Sequence, residues 1–283
     1  MTTHPTPFAP INDRSQPLPH EAASTARRKP TALVAFGTAA TVAFGVWSAS
    51  PPVQAAADTF EEAEVFLELN HTDEDLGIHA KVDGDAWKKM EIKDPNGVEI
   101  LEVRGKGKLG RHGLTEIFFE SEEPRFKDLP PDEFLKKFPE GTYKVLGTTI
   151  DGEKIKSKTQ LTHVMPAPPG DITINGIPAA KDCDTKPLPK VTKPVTIKWA
   201  PVTQSHPTVG VPGVIDVNNY QLVVELEEPQ LLVFSVDLPP SKTKMRVSKQ
   251  FLEPGTEYKM EVLVREKSYN QTAVETCFKV VKK

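Results

Sequence analysis

With 283 residues, the chain has room for about two domains. A hydrophobic content of 38% and a charged content of 26% fit a globular protein, and a net charge of −4 excludes general nucleic-acid binding, which needs a basic footprint. The two cysteines are too few for a disulfide scaffold and too far apart for a zinc knuckle, while 27 prolines against 17 glycines mark linkers and strand edges more than helices.

Residues 1–57 read as a leader. The first thirty are polar, Pro-rich and without periodicity, and they end in Arg27, Arg28 and Lys29. No charge follows from Thr31 to Ser50; Pro51 and Pro52 then break any helix, and Ala55 to Ala57 offer the small residues a signal peptidase cleaves beside. This is the plan of a bacterial-type secretory signal. An uncleaved anchor is the alternative, since the run is nearly long enough to span a bilayer, but Ala, Gly and Thr dilute its hydrophobicity and favour cleavage. Losing residues 1–57 removes four basic and two acidic residues and leaves a charge of −6. Such a surface is soluble and is not drawn to anionic membranes. The expected location is therefore secreted, periplasmic or in the cell envelope, with membrane contact only through an uncleaved N-terminal segment.

Residues 58–165 read as seven or so short strands. AEVFLELN opens the series, and Ile78, Ala80 and Val82 form a second strand ended by a predicted turn at Asp83-Gly84. Met90 and Ile92 lead into the turn Asp94-Pro95-Asn96-Gly97, and Val98 to Val103 follow. TEIFFE, a short helix at PPDEFLKKF, GTYKVLGTTI, and a last strand with Ile155, Thr159 and Leu161 on one face complete it. The spacing predicts an immunoglobulin-like β-sandwich.

Residues 166–170 form a stiff, Pro-rich linker that restricts how two halves can swing. Beyond it, Val195, Ile197 and Trp199 alternate with polar residues, as do Tyr220, Leu222, Val224 and Leu226. LEPGTEYKMEVLV, from Leu252 to Val264, places Tyr258 just past a Pro-Gly turn at the start of a strand, the mark of a tyrosine corner. With Trp199 in VTIKWAPV, Tyr220 in NNYQLVVE, and Leu252 and Tyr258 in LEPGTEY, residues 171–283 resemble the fibronectin type III family. The resemblance implies a seven-stranded sandwich with a role in spacing, adhesion or ligand presentation, and it carries no catalytic residue. The Val202–Asn219 loop is longer than usual between those strands, and the Arg-Gly-Asp triplet is absent. Glu140-Gly-Thr-Tyr143 echoes Pro254-Gly-Thr-Glu-Tyr258, so Tyr143 is expected to make the same corner in the first half. The fold expected overall is all-β, two tandem sandwiches after an N-terminal signal or anchor.

In this register Cys277 points outward with Glu275 and Lys279, within reach of Cys183 in the extended lead-in KDCDTKPLPK. The oxidising conditions met by an exported protein favour a Cys183–Cys277 bridge, with two free thiols as the alternative.

Chemistry-bearing motifs are sparse. Gly105, Gly107 and Gly110 satisfy G-x-G-x-x-G, but TEIFFE after them alternates as a strand, where a dinucleotide site needs a helix. The lysines and arginines of that loop suit either a solvated hairpin or a local anion contact. Glu68, Asn70, Asp73 and Asp75 offer hard oxygens for calcium, although the spacing falls short of an EF-hand. His71 and His79 could bind a softer metal together with these carboxylates, and otherwise read as solvated turn residues. Trp87 reads as core or as a sugar-stacking platform. No cofactor is indicated beyond that calcium. The function expected is a non-enzymatic binding or spacer protein of the cell envelope with a protein or glycan partner; a carbohydrate-binding or calcium-dependent accessory module is the alternative.

Overall fold

The structure is a computed structural model that describes residues 59–283. The leader, the charge-free run and its signal-or-anchor reading lie outside the described residues. Among the described residues, no helix is long and apolar enough to cross a membrane.

Strand β1 (Glu62–Asn70) sends Val65, Leu67 and Leu69 into a core and pairs antiparallel with the first part of β2 (Asp75–Lys93). β2 runs for 19 residues, so the turn expected at Asp83-Gly84 is absent. The chain bends there instead, with a register shift between Asp83 and Trp87. Gly84 permits this because its backbone lies against Phe60, where a Cβ would come 3.2 Å from the ring, and the Asp83 carboxylate accepts the Gly84 N–H at 2.8 Å.

After the Asp94–Gly97 turn come β3 (Glu99–Arg104), the single-turn helix α1 (Gly107–His112), β4 (Leu114–Glu120), α2 (Pro131–Lys137), β5 (Gly141–Thr149) and β6 (Lys154–Leu161). The first part of β2 lies between β1 and β4; its second part lies between β3 and β5, with β6 beyond β5. One bent strand thus serves both layers of an immunoglobulin-like sandwich. Trp87 is fully buried between them and its indole N–H donates to the Thr115 carbonyl at 3.3 Å, which makes it core and removes the sugar-platform reading. Tyr143 is buried too, its hydroxyl donating to the Pro139 carbonyl at 3.2 Å.

The second half begins with β7 (Thr173–Ile174), β8 (Ile177–Pro178), β9 (Lys190–Val191) and β10 (Thr196–Lys198). It continues with β11 (Val217–Leu226), β12 (Leu232–Leu238), β13 (Lys244–Arg246), β14 (Glu257–Glu266) and β15 (Gln271–Val280). Two sheets form, ordered β13-β10-β7-β8 and β12-β11-β14-β15, with β9 parallel to β15. Between them Trp199 meets Tyr220 edge-on at 5.5 Å, and Leu252, Tyr258, Met260, Val262 and Val264 are fully buried. The Tyr220 hydroxyl accepts the Val202 N–H at 2.8 Å. That of Tyr258 accepts the Glu253 N–H at 2.7 Å and donates to the Phe251 carbonyl at 3.3 Å, closing the corner. Cys183 and Cys277 are joined by a disulfide that ties the lead-in to the outward face of β15.

The two halves are not beads on a linker. β15 pairs in parallel with β1, from Glu68↔Gln271 to Asn70↔Ala273, so a single sheet runs through both. The long Val202–Asn219 loop spends its extra length on the same junction. The His206 N–H donates to the Met165 carbonyl at 2.7 Å, that of Val211 to the His163 carbonyl at 2.9 Å, and Val209 is buried in the first core. Gly210 passes so close to His163 that a Cβ would sit 2.0 Å from its carbonyl oxygen. Within the Pro-rich linker, the Ala167 N–H donates to the Gln204 carbonyl at 2.9 Å, so the linker is built into the fold.

Candidate functional site at the junction of the two halves

Tyr269, with φ 74°, turns the chain from β14 into β15 and aims Asn270 at the first half. Asn270 is fully buried. Its amide oxygen accepts the Leu67 N–H at 2.9 Å, and its NH₂ donates to the carbonyls of Thr162 at 2.9 Å and Val164 at 3.0 Å. Thr272 donates to the Pro166 carbonyl at 2.8 Å. The Thr72 hydroxyl donates to the Glu275 carbonyl at 3.0 Å and accepts the Glu275 N–H at 2.9 Å. Each of these side chains therefore has a partner on the other side, which is what burying it requires.

Beside the seam, the β1–β2 turn forms one wall of an open groove of about 790 Å³. His71, Asp73, Glu74 and Arg125 line it from the first half, and Asp171, Lys181, Asp182 and Asp184 from the second. Five carboxylates against two cations make it acidic. Backing it, His206 lies 3.4 Å from His71. The Nδ1 of His206 accepts the N–H groups of Thr208 and Val209 at 3.2 and 3.0 Å, so the proton sits on Nε2, which donates to His71. Burial, with His71 adding to it, pushes the His206 pKa down to about 4 and keeps this ring neutral.

The four oxygens expected to hold calcium do not converge. Asn70 uses its carbonyl oxygen to accept the Thr72 N–H at 3.0 Å, closing an Asx turn, and its NH₂ donates to Asp73 at 3.0 Å. Glu68 turns to His79 and the Gln271 amide. Asp75 lies by Arg125; burial and then the nearby Glu123 and Asp73 charges push its pKa up to about 7. Alternation puts Glu68, Asn70 and Asp75 on one face of the hairpin, but their side chains turn to different neighbours.

The outward face of the shared sheet carries a second polar cluster. Phe66 is fully buried there under the Arg265 guanidinium, 4.9 Å from its ring centre, and beside His79 at 5.4 Å. Across β15 and β14, Lys259 lies 2.9 Å from Glu275 and 3.4 Å from Glu261. Burial raises the Glu261 pKa to about 7; Lys259 opposes this, and Glu275 and Glu225 reinforce it.

The RGKGKLG segment is no phosphate cradle. α1 is six residues long and leads straight into β4. Gly110 packs on Gly105, where a Cβ would come 2.5 Å from its carbonyl oxygen, so these glycines permit a close chain approach. Among the described residues, no histidine hydrogen-bonds a serine or cysteine hydroxyl or thiol.

The order β12-β11-β14-β15 facing β13-β10-β7, with its buried tryptophan and tyrosine corner, defines the second half as a fibronectin type III-like sandwich. No protein-family model and no curated protein matches the chain. Among solved structures, it is similar to a two-domain fibronectin type III segment of chicken tenascin, at 14% identity over 78% of this chain and 99% of that one, TM-score 0.27. It is also similar to the FN1–FN3 domains of chicken CNTN1, at 10% identity over 78% of this chain and 64% of that one, TM-score 0.31.

Proposed function

We propose that the protein is an exported, non-enzymatic spacer and binding protein of the bacterial cell envelope that holds two β-sandwiches at a fixed angle. The observation that carries this reading is the continuous sheet across the halves, locked by Asn270. A pair of modules that swung freely would have no use for a buried, hydrogen-bonded seam. The disulfide suits an oxidising compartment. The junction groove, five carboxylates against two cations, is the surface offered to a partner and suits a basic segment of a protein. Fractionating cells that express the natural gene, followed by N-terminal sequencing, tests the export. The expected result is a protein outside the cytoplasm whose chain starts near Asp58. A cytoplasmic chain that retains residues 1–57 would overturn the reading.

A further inference from the structure

We propose that His79, Glu120 and Glu123 form a binding site for a divalent transition metal of the zinc type, on the outward face of the first half beside the seam. His79 lies in the middle of a strand and is 1% exposed. It sits between the rings of Phe66, at 5.4 Å, and Phe118, at 5.7 Å, which leaves its two ring nitrogens to face polar groups in the ring plane. Nε2 is 2.9 Å from a Glu123 oxygen, and one ligand atom each from His79, Glu120 and Glu123 lies within 4.8 Å of the others. Ligand atoms around a tetrahedral zinc stand roughly 3.3 Å apart for bonds of about 2.0–2.1 Å. Small side-chain adjustments would reach that spacing.

Two further observations separate this cluster from an ordinary acidic surface. Nδ1 of His79 is buried and makes no hydrogen bond, its nearest carboxylate being Glu68 at 3.5 Å. Metal-ligating imidazoles characteristically turn their other nitrogen toward a carboxylate, and Glu68 is held in that position by the Gln271 amide from the second half. Gly77 supplies the space: it neighbours His79 on the same face, and a Cβ there would come 2.4 Å from the Glu123 oxygen. The only other convergent carboxylates among the described residues, Glu91, Glu99 and Glu102, make the contrast. Lys89 already pairs with Glu91 and Glu102, whereas no described Lys or Arg forms an ion pair with Glu68, Glu120 or Glu123.

One imidazole and two carboxylates select a borderline metal over calcium, which takes oxygen ligands. Glu120 is exposed, so water can complete the coordination. A metal here would pin the end of β4 and the segment after it onto β2, next to the strand that carries the seam.

The test is calorimetric titration of the chelator-treated full-length protein with zinc chloride and, separately, calcium chloride, with melting curves in parallel. One zinc per chain and a raised melting temperature are expected, with neither from calcium at the same concentration. Glu120→Gln and Glu123→Gln, at positions exposed enough to keep the fold, should each weaken zinc binding at least about tenfold. Gly77→Ala should do the same by displacing Glu123, and the Glu99→Gln/Glu102→Gln control should bind like the parent. No zinc binding, or binding indifferent to Glu120→Gln and Glu123→Gln, as from the His71–His206 pair, would overturn the proposal.

Discussion

The side-chain oxygen of Asn270 accepts the backbone N–H of Leu67 at 2.9 Å across a sequence separation of 203 residues, and the same side chain's NH₂ holds the carbonyls of Thr162 and Val164. Asn270→Ala leaves one buried donor and two buried acceptors without partners, each worth about 1–3 kcal/mol. A loss of about 3 kcal/mol or more in urea unfolding is expected. Asn270→Asp matches the volume and keeps the acceptor but aims a carboxylate at two carbonyls, so it should be destabilised as well. A benign Asp variant would show that shape alone matters at this position.

Tyr258 and Tyr143 make the same corner with different numbers of hydrogen bonds, two for the Tyr258 hydroxyl and one for that of Tyr143. Tyr258→Phe leaves the Glu253 N–H without its acceptor and should cost about 1–2 kcal/mol, with Tyr143→Phe costing less. Guanidinium denaturation of the two variants checks the order, which a Tyr258→Phe protein as stable as the parent would contradict.

The Cys183–Cys277 bridge spans 94 residues and anchors the loop before β9 to the last strand. Its removal in a Cys183→Ala/Cys277→Ala protein should cost about 2–4 kcal/mol, chiefly by freeing the unfolded chain. Urea midpoints of the double variant and of the oxidised parent give the comparison.

Glu261 holds its proton more tightly folded, with a pKa of about 7, than unfolded, where the ordinary value is 4.5. Its contribution is therefore fully present below about pH 4.5, is lost as pH rises toward 7, and is flat above that. Lys259, Glu225 and Glu275 face it from the same strand and its two neighbours. Glu261→Gln should flatten that part of the pH profile and leave the protein more stable than the parent at pH 8, as urea midpoints from pH 4.5 to 8 would reveal. A variant with the parent's slope would contradict the assignment.

The residues legible from sequence were those whose partners follow from local alternation. Trp199, Tyr220, Leu252 and Tyr258 fall on one face of their strands and lie in the core, and the short echo at Tyr143 proved to be a second corner. What stayed hidden depends on distant chain. Asp83-Gly84 reads as a turn because nothing local shows that Phe60 will pack on the glycine and keep the strand going. Asn270, in SYNQT, looks like a surface turn residue; the one local hint is a run of polar residues where a strand's inward position should be apolar. His79 alternates onto the polar face, and its burial comes from Phe66, Phe118 and Glu123. Glu68, Asn70, Asp73 and Asp75 show the converse, since residues adjacent in sequence turn to different partners in the hairpin.

The central claim is that the seam makes the two sandwiches one cooperative body. Hydrogen exchange of the amides of Leu67, bonded to Asn270, and of His71, bonded to the Ala273 carbonyl at 2.9 Å, tests it most directly. Both are predicted to exchange as slowly as Val262 in the second core, through global unfolding only. Exchange at these two amides orders of magnitude faster than at Val262, with both cores still protected, would mean that the halves part independently and would contradict the account.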